Sequence, residues 1–260
     1  LAVKQGDCMA YLEDEAVQDK AYAKYLLSMF ALGSSGSREK VNSAIERLIS
    51  ASGQGHVLAQ FALGEWYLGS DSGEPAIDEA IVWFKKAAEQ GYRKAQFELA
   101  KIYERGGYHG QDAREALRWY REAENLGEVR ARIKTGRLLK ANASNPAEFE
   151  KAREWFIKAE KAGENLAKFF IGEMYFLGEG VTEDPGLGFA WVKRMISLEP
   201  SLFGVIQEFA ENGSLFAQVS IARIFLSEES GFHDLTQAFN WFLTAALQGD
   251  ALAAREVGNL

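Results

Sequence analysis

Trp83, Trp119, Trp155 and Trp191 stand 36 residues apart, three intervals in succession. A fixed interval of this size marks a stacked repeat array, in which each unit buries its apolar face only against its neighbours. It constrains function as well as fold, because such arrays mostly serve as extended binding surfaces. The period carries more than tryptophan. A glycine recurs eight residues after each of the first three (Gly91, Gly127, Gly163) and an alanine twelve residues after (Ala95, Ala131, Ala167). One period earlier, Arg47 stands at the aromatic position and is followed by Gly55 and Ala59. A further step reaches Tyr11, with Ala23 in place but Asp19 where the glycine belongs. Beyond Trp191 the register fails and recovers 14 residues later, where Gly213 and Ala217 point back to Val205. A last interval of 36 reaches Trp241, Gly249 and Ala253.

Each unit reads as two helices. In the segment 78–90, Ile81, Phe84 and Ala88 share a helical face, with Trp83 and Ala87 beside it. Gly91 follows where a left-handed residue ends a helix without steric penalty. The next helix, residues 94–105, turns Ala95, Leu99, Ile102 and Tyr103 inward. We call the helix holding the alanine A and the helix holding the tryptophan B. Small residues at Ala59, Gly64, Ala95, Ala100, Gly136 and Gly172 let neighbouring helices approach closely. Asp78, Asp112 and Asp184 precede B helices, where an acid caps or complements the helix dipole. The segment near 192–205 is irregular. Glu199-Pro200 marks the break, since the residue before proline avoids helical backbone. An added or extended helix is expected after it, because Leu202, Val205, Ile206 and Phe209 keep helical spacing.

The stretch Trp83-Phe-Lys-Lys-Ala-Ala-Glu-Gln-Gly91 followed by Ala95-Gln96 resembles the core of a Sel1-like repeat. The stretch from Ala167 through Phe176-Leu-Gly-Glu-Gly-Val-Thr-Glu-Asp184 is similar to that family's first helix and its Gly-x-Gly-Val-x-x-Asp turn. The resemblance covers nearly the whole chain. It implies an all-α fold, a right-handed α/α superhelical solenoid close to tetratricopeptide repeats, that serves as an adaptor or scaffold. Residues 1–260 then form a single domain of about seven helix-pair registers.

Composition fits a helical array and excludes several classes. The chain is 47% hydrophobic with four prolines, and no apolar run approaches the ~18 residues of a membrane span. No membrane insertion is expected. Cys8 is the only cysteine, which rules out an intrachain disulfide framework and a thiolate metal cluster, and it is expected to be a buried, inert thiol. His56, His109 and His233 fall in separate turns, so no metal site and no cofactor are expected. Ser37-Arg-Glu-Lys40 and Lys134-Thr-Gly136 match two motifs of penicillin-recognising enzymes, but the second falls inside an A helix instead of on a strand, and the Ser-Asp-Asn element is missing. Without a catalytic constellation or a phosphate loop, no enzymatic activity is expected.

Charge gives the array a direction. Residues 85–140 hold 14 Lys and Arg against 8 Asp and Glu, a net of +6 in a chain of net −8, leaving −14 elsewhere. Arg130, Arg132, Lys134, Arg137 and Lys140 share one A helix without an acid. If A helices line a concave face, positions +2, +6 and +9 from each alanine face the groove. They are Tyr25, Met29 and Leu32; Phe61, Glu65 and Leu68; Phe97, Lys101 and Glu104; Ile133, Arg137 and Lys140; Phe169, Glu173 and Phe176. Such a groove is aromatic at its ends and basic in its middle, a mould for a protein or peptide segment with apolar anchors and an acidic centre. The +2 aromatics have a second reading, as packing between adjacent A helices, and the basic run a second reading as solvated surface. Nucleic acid is not expected, since the chain is acidic overall and lacks a stacking platform. Non-catalytic binding of a partner protein is the main expectation. The alternatives are a small-molecule or cell-wall glycan sensor, which needs a closed pocket with convergent polar groups, and a secreted factor acting on host proteins. A bacterial envelope, periplasmic or secreted setting is favoured over the cytoplasm. The oligomeric state is left open.

Overall fold

A computed structural model describes residues 5–18, 20–33, 38–69, 76–106, 111–228 and 231–260. Among the described residues the secondary structure is helical, with no strand. The chain divides into two compact units, one ending at Ala131 and one beginning at Arg132. The first contains α1 (Gln5–Val17), α2 (Ala21–Gly33), α3 (Arg38–Gly53), α4 (Val57–Leu68), α5 (Ile77–Glu89), α6 (Arg93–Arg105) and α7 (Ala113–Asn125). Helix α8 (Arg130–Ala141) carries the division. The second contains α9 (Pro146–Lys161), α10 (Ala167–Leu177), α11 (Pro185–Leu198), α12 (Phe203–Glu211), α13 (Leu215–Leu226), α14 (Leu235–Leu247) and α15 (Ala251–Asn259). Within each unit an A helix packs most closely on the B helix that follows it: α2 on α3, α4 on α5, α6 on α7, α10 on α11 and α13 on α14.

The period has a steric basis. The alanines Ala23, Ala59, Ala95, Ala131, Ala167, Ala217 and Ala253 are all fully buried, so a larger side chain has no room there. Of the tryptophans that mark the register only Trp119 is buried, at 4% exposed. Trp83, Trp155, Trp191 and Trp241 are half-buried, and Lys86 and Lys158 lie over the rings of Trp83 and Trp155 at 4.0 and 4.7 Å. The fully buried partner is the next residue: Leu48, Phe84, Tyr120, Phe156, Ile206 and Phe242 are each 0% exposed and Val192 is 1%. The small residues on helix A make room for it. A Cβ on Gly64 would stand 2.6 Å from the Phe84 ring, and one on Gly136 2.6 Å from Phe156. Where Val192 replaces the ring, the helices close further: a Cβ on Gly172 would meet the carbonyl oxygen of Gly188 at 2.6 Å.

The glycines eight residues after the marker end the B helices with a left-handed residue. Gly55, Gly91, Gly127, Gly163, Gly213 and Gly249 have φ between +81 and +96°. Gly91 has no neighbour within 4 Å of a built Cβ, so Gly91→Ala tests backbone strain alone. It is expected to lower stability by about 1–2 kcal/mol, the cost of a left-handed backbone for an L-residue, with Gly91→Asn costing less. The shift in a urea unfolding midpoint measures it.

A polar staple, not anticipated from the sequence, ties successive helices. The residue after the buried alanine is Gln60, Gln96 or Gln218, and each donates to a backbone carbonyl eight residues earlier (Ser52, Ala88 and Ala210, all at 3.1 Å). Gln90 and Gln248 in turn donate to the side-chain oxygens of Gln60 and Gln218 at 2.8 Å. Each of these carbonyls already accepts from the N–H of the turn glycine (Gly55, Gly91 or Gly213), so the glutamine adds a second partner and ties the turn to the following helix.

The acids before helix B act as expected, with one difference. Asp112, Asp184 and Asp234 accept from backbone N–H groups of the first turn. Asp78 stands inside the first turn of α5, where it complements the dipole. The register slip is an added helix. Glu199 leaves the helical backbone, with φ −146° and ψ 83°, and ends α11; a 3-10 turn over Pro200–Leu202 then leads into α12. Helix α12 restores the period by burying Ile206 and Ala210 ahead of Gly213.

Candidate interaction surface

Helix A is buried over most of its circumference. At 100° per residue, the positions buried on α2, α4 and α6 counted from the alanine (0, +1, +4 and +5) leave a narrow open arc at −1, +3, +6 and +10. On α2 this arc is Tyr22, Leu26, Met29 and Gly33, all exposed. On α4 it is Leu58, Ala62, Glu65 and Gly69, with Leu58 and Glu65 exposed, and on α6 it is Lys94, Glu98, Lys101 and Arg105. In the second unit Arg137 is exposed on α8, whereas on α10 Phe170 is buried and Glu173 half-buried.

This arc corrects part of the expected groove. Position +2 falls outside it. Phe97 is 5% exposed and Phe169 1%, and at +9 Phe176 is 6% exposed. These rings belong to the core: Phe97 lies 5.6 Å from Tyr120, Phe169 packs on Phe209 and Phe216, and Phe176 on Phe189 and Phe216. Tyr25, Phe61 and Ile133 are half-buried. Tyr25 lies 5.0 Å from His56, and Phe61 lies 5.0 and 5.5 Å from Tyr92 and Phe84. The reason is that an A helix packs against other helices on more than one side, so +2 is a second buried flank. The reading of the aromatics as packing therefore applies to Phe97, Phe169 and Phe176. The +6 residues Met29, Glu65, Lys101, Arg137 and Glu173 do lie on the arc.

The basic centre is corrected as well, because acids from other elements meet most of it. Arg130 Nε is 2.6 Å from Glu128, and its guanidinium lies over the Phe97 ring at 4.6 Å. Arg132 lies 3.4 Å from Glu164. Lys140 Nζ sits 2.7 Å from Glu173 and 2.9 Å from Glu179, all three side chains less than a quarter exposed. Burial alone would lower the Lys140 pKa, but the two carboxylates outweigh it and hold the ammonium above its usual range. Lys101 pairs with Glu98 at 2.6 Å. Arg137 stays exposed, 5.5 Å above the Phe170 ring.

A different signal comes from apolar exposure. On α2, Tyr22, Leu26, Met29 and Phe30 are 41, 43, 40 and 51% exposed. They follow one another at i, i+4, i+7 and i+8, a continuous helical stripe. Leu58 on α4 is 39% exposed. Single exposed apolar residues are ordinary, whereas a contiguous stripe marks an interaction surface.

The remaining motifs take structural places. Thr135 is fully buried and Gly136 lies under Phe156, so the Lys134-Thr-Gly136 match is part of a packed helix. Ser37, His109 and the Cys8 side chain lie outside the described residues. His56 caps α4, its Nδ1 accepting from Ala59 N–H at 3.2 Å, and burial lowers its pKa. Among the described residues no group of three or more His, Cys, Asp or Glu side chains gathers as a metal site, and no helix is long and apolar enough to cross a membrane.

The sequence pattern of the Sel1 repeat matches residues 57–92, 93–128, 146–164, 165–199 and 217–250, more than half of the chain. A solved protective antigen of uropathogenic Escherichia coli displaying an SLR fold is 26% identical, with a TM-score of 0.63. That match covers 96% of this chain and 51% of the antigen, so the chain spans about half of the antigen's length. A Sel1 repeat protein from Oxalobacter formigenes is 25% identical, also with a TM-score of 0.63, over 98% of this chain and 81% of that one. No curated protein matches the chain in sequence. Sel1 repeat proteins are generally scaffolds for protein–protein interaction and typically lack catalytic activity. The repeated alanine and glycine positions, the helix pairs they space and the matched segments agree: the chain belongs to the Sel1 repeat family, and its fold is an α/α solenoid.

Proposed function

We propose that this chain is a non-catalytic scaffold that binds a partner protein through the open arcs of its A helices. The observation that supports the reading best is the apolar stripe of Tyr22, Leu26, Met29 and Phe30 on α2. The neighbouring arc continues it with Leu58 and Glu65 on α4. An amphipathic partner segment presenting apolar side chains suits this stripe, in the manner of a helix laid on a groove. In the second unit Arg137 is the cation placed to meet an acid of the partner; the more extended basic centre has its charges met within the chain. Both solved relatives named above come from bacteria. A bacterial envelope or extracellular setting is the finer part of the proposal.

The test is affinity capture from source cells with purified wild-type protein and the Met29→Glu/Phe30→Glu variant, followed by mass spectrometry and fractionation of the source cells. Both residues are exposed, so circular dichroism should show an unchanged unfolding midpoint. Proteins retained by the wild type are expected to be lost from the variant, because a carboxylate in the middle of an apolar contact must be buried unpaired. Equal capture by both proteins would overturn the assignment of the α2 stripe.

A further inference from the structure

A cavity lies beside the slip in the repeat register. It lies in the second unit, holds about 520 Å³, and is bounded by α11, Pro200, α13 and Phe232. This volume suits a small organic ligand. In a regular unit helix B leads straight to the next helix A through a glycine turn. Here the 3-10 turn and α12 intervene between α11 and α13. The ring of Phe203 stacks on Phe232 at 4.3 Å and holds that aromatic at the cavity wall.

Two polar side chains of α13 line this cavity and lack partners inside the protein. Ser220 and Arg223 occupy the +3 and +6 positions, which on α2 are the exposed Leu26 and Met29. Ser220 is 2% exposed and its Oγ makes no hydrogen bond. The contrast with other helical hydroxyls is informative. Ser28, Ser197 and Thr244 each donate to the carbonyl four residues earlier. Arg223 is stacked over the Phe189 ring at 4.1 Å, and its buried Nε has no acceptor. Among the described residues no carboxylate pairs with it. Burial makes its charged form less favourable than usual; Glu256 and Asp250 oppose that shift and Arg255 adds to it. The rest of the lining joins apolar Phe189, Ile196, Ile224 and Phe232 with Lys193, Ser197 and Ser227.

We propose that this cavity binds a small organic anion with an apolar body. The acidic oxygens accept from Arg223 Nε and Ser220 Oγ, three residues apart on one face of α13. The apolar body lies against Ile196, Ile224 and Phe232. A neutral ligand can satisfy the hydroxyl but leaves the guanidinium charge uncompensated, which is why the class is anionic. The inference stands apart from the docking stripe on α2 and involves none of its residues.

Isothermal titration calorimetry with phenylacetate, phenyl phosphate and the neutral isostere phenylacetamide tests it on the whole chain. At least one of the anions is expected to saturate with a Kd below about 1 mM, and phenylacetamide to bind at least about tenfold more weakly. The preference between phenylacetate and phenyl phosphate distinguishes a carboxylate ligand from a phosphate ester. Arg223→Gln should weaken the anions at least about tenfold while leaving phenylacetamide unchanged. Ser220→Ala removes only a buried unsatisfied hydroxyl, so it keeps the fold and serves if Arg223→Gln does not fold; it should weaken anion binding severalfold. Equal affinity for phenylacetamide and the anions, wild-type anion affinity in Ser220→Ala and any folded Arg223→Gln, or no saturable binding of either anion would each overturn the proposal.

Discussion

Replacing Phe156 with alanine is expected to destabilise the chain by about 3–5 kcal/mol, and replacing the adjacent Trp155 by less than half of that. Trp155 belongs to the ladder that announces the repeat, yet it is half-buried and its ring is covered on one side by Lys158. Phe156 is fully buried. Its ring stacks on Phe170 at 5.1 Å and 16°, and it fills the space that Gly136 leaves on α8. Truncation removes the transfer energy of a whole ring. It also leaves a cavity that a helix pair fixed on both sides cannot collapse. In a stacked array the loss falls on one unit and its neighbours. Urea unfolding of both variants, followed by circular dichroism, measures the difference. A larger effect from Trp155→Ala would mean that the ladder residue is the true core.

Much of the architecture was legible because steric needs are stamped into the sequence at fixed intervals. A fully buried alanine and a glycine with positive φ admit few substitutes, so Ala95, Ala131 and Ala167 and Gly91, Gly127 and Gly163 persist where the rest of each repeat drifts. The added helix was legible for a similar reason, since Ile206, Gly213 and Ala217 restore the frame. The surface was less so. Classing +2 with +6 placed Phe97 and Phe169 in a groove, because sequence spacing along one helix does not reveal how many sides of it are covered. Exposure on α2 could not be read either: Leu26 and Phe30 look like core residues by type, yet they are 43 and 51% exposed. Nor does spacing show that Ser220 lacks the backbone acceptor that Ser28 and Ser197 find.

The charge partners of α8 lie far away in sequence for a related reason, with an experimental consequence at Lys140. Counting along α8 finds cations and no acid, but the partners Glu164 and Glu173 come 32 and 33 residues after Arg132 and Lys140, almost one repeat later. An ammonium held between Glu173 and Glu179 is a structural element. Lys140→Met is expected to cost about 3 kcal/mol, because it leaves two shielded carboxylates facing each other without a counter-charge. Lys140→Glu should cost more, since it adds a third. The sign of the pH dependence follows from the raised pKa. A lysine that holds its proton more tightly when folded contributes fully below its unfolded value of 10.5 and loses that contribution as pH rises through the folded value. The stability gap between wild type and Lys140→Met should therefore be constant from neutral pH to about 10 and narrow above it. Arg137→Glu behaves differently. Its side chain is exposed and loses only a cation–π contact of about 0.5–1 kcal/mol. Partner capture lost in Lys140→Glu would report unfolding of the ion cluster, whereas capture lost in a fully stable Arg137→Glu would report a binding contact. Urea unfolding of both variants at pH 7 and at pH 11 separates the two roles; equal stability of Lys140→Met and wild type at pH 7 would show that the cluster contributes nothing to the fold.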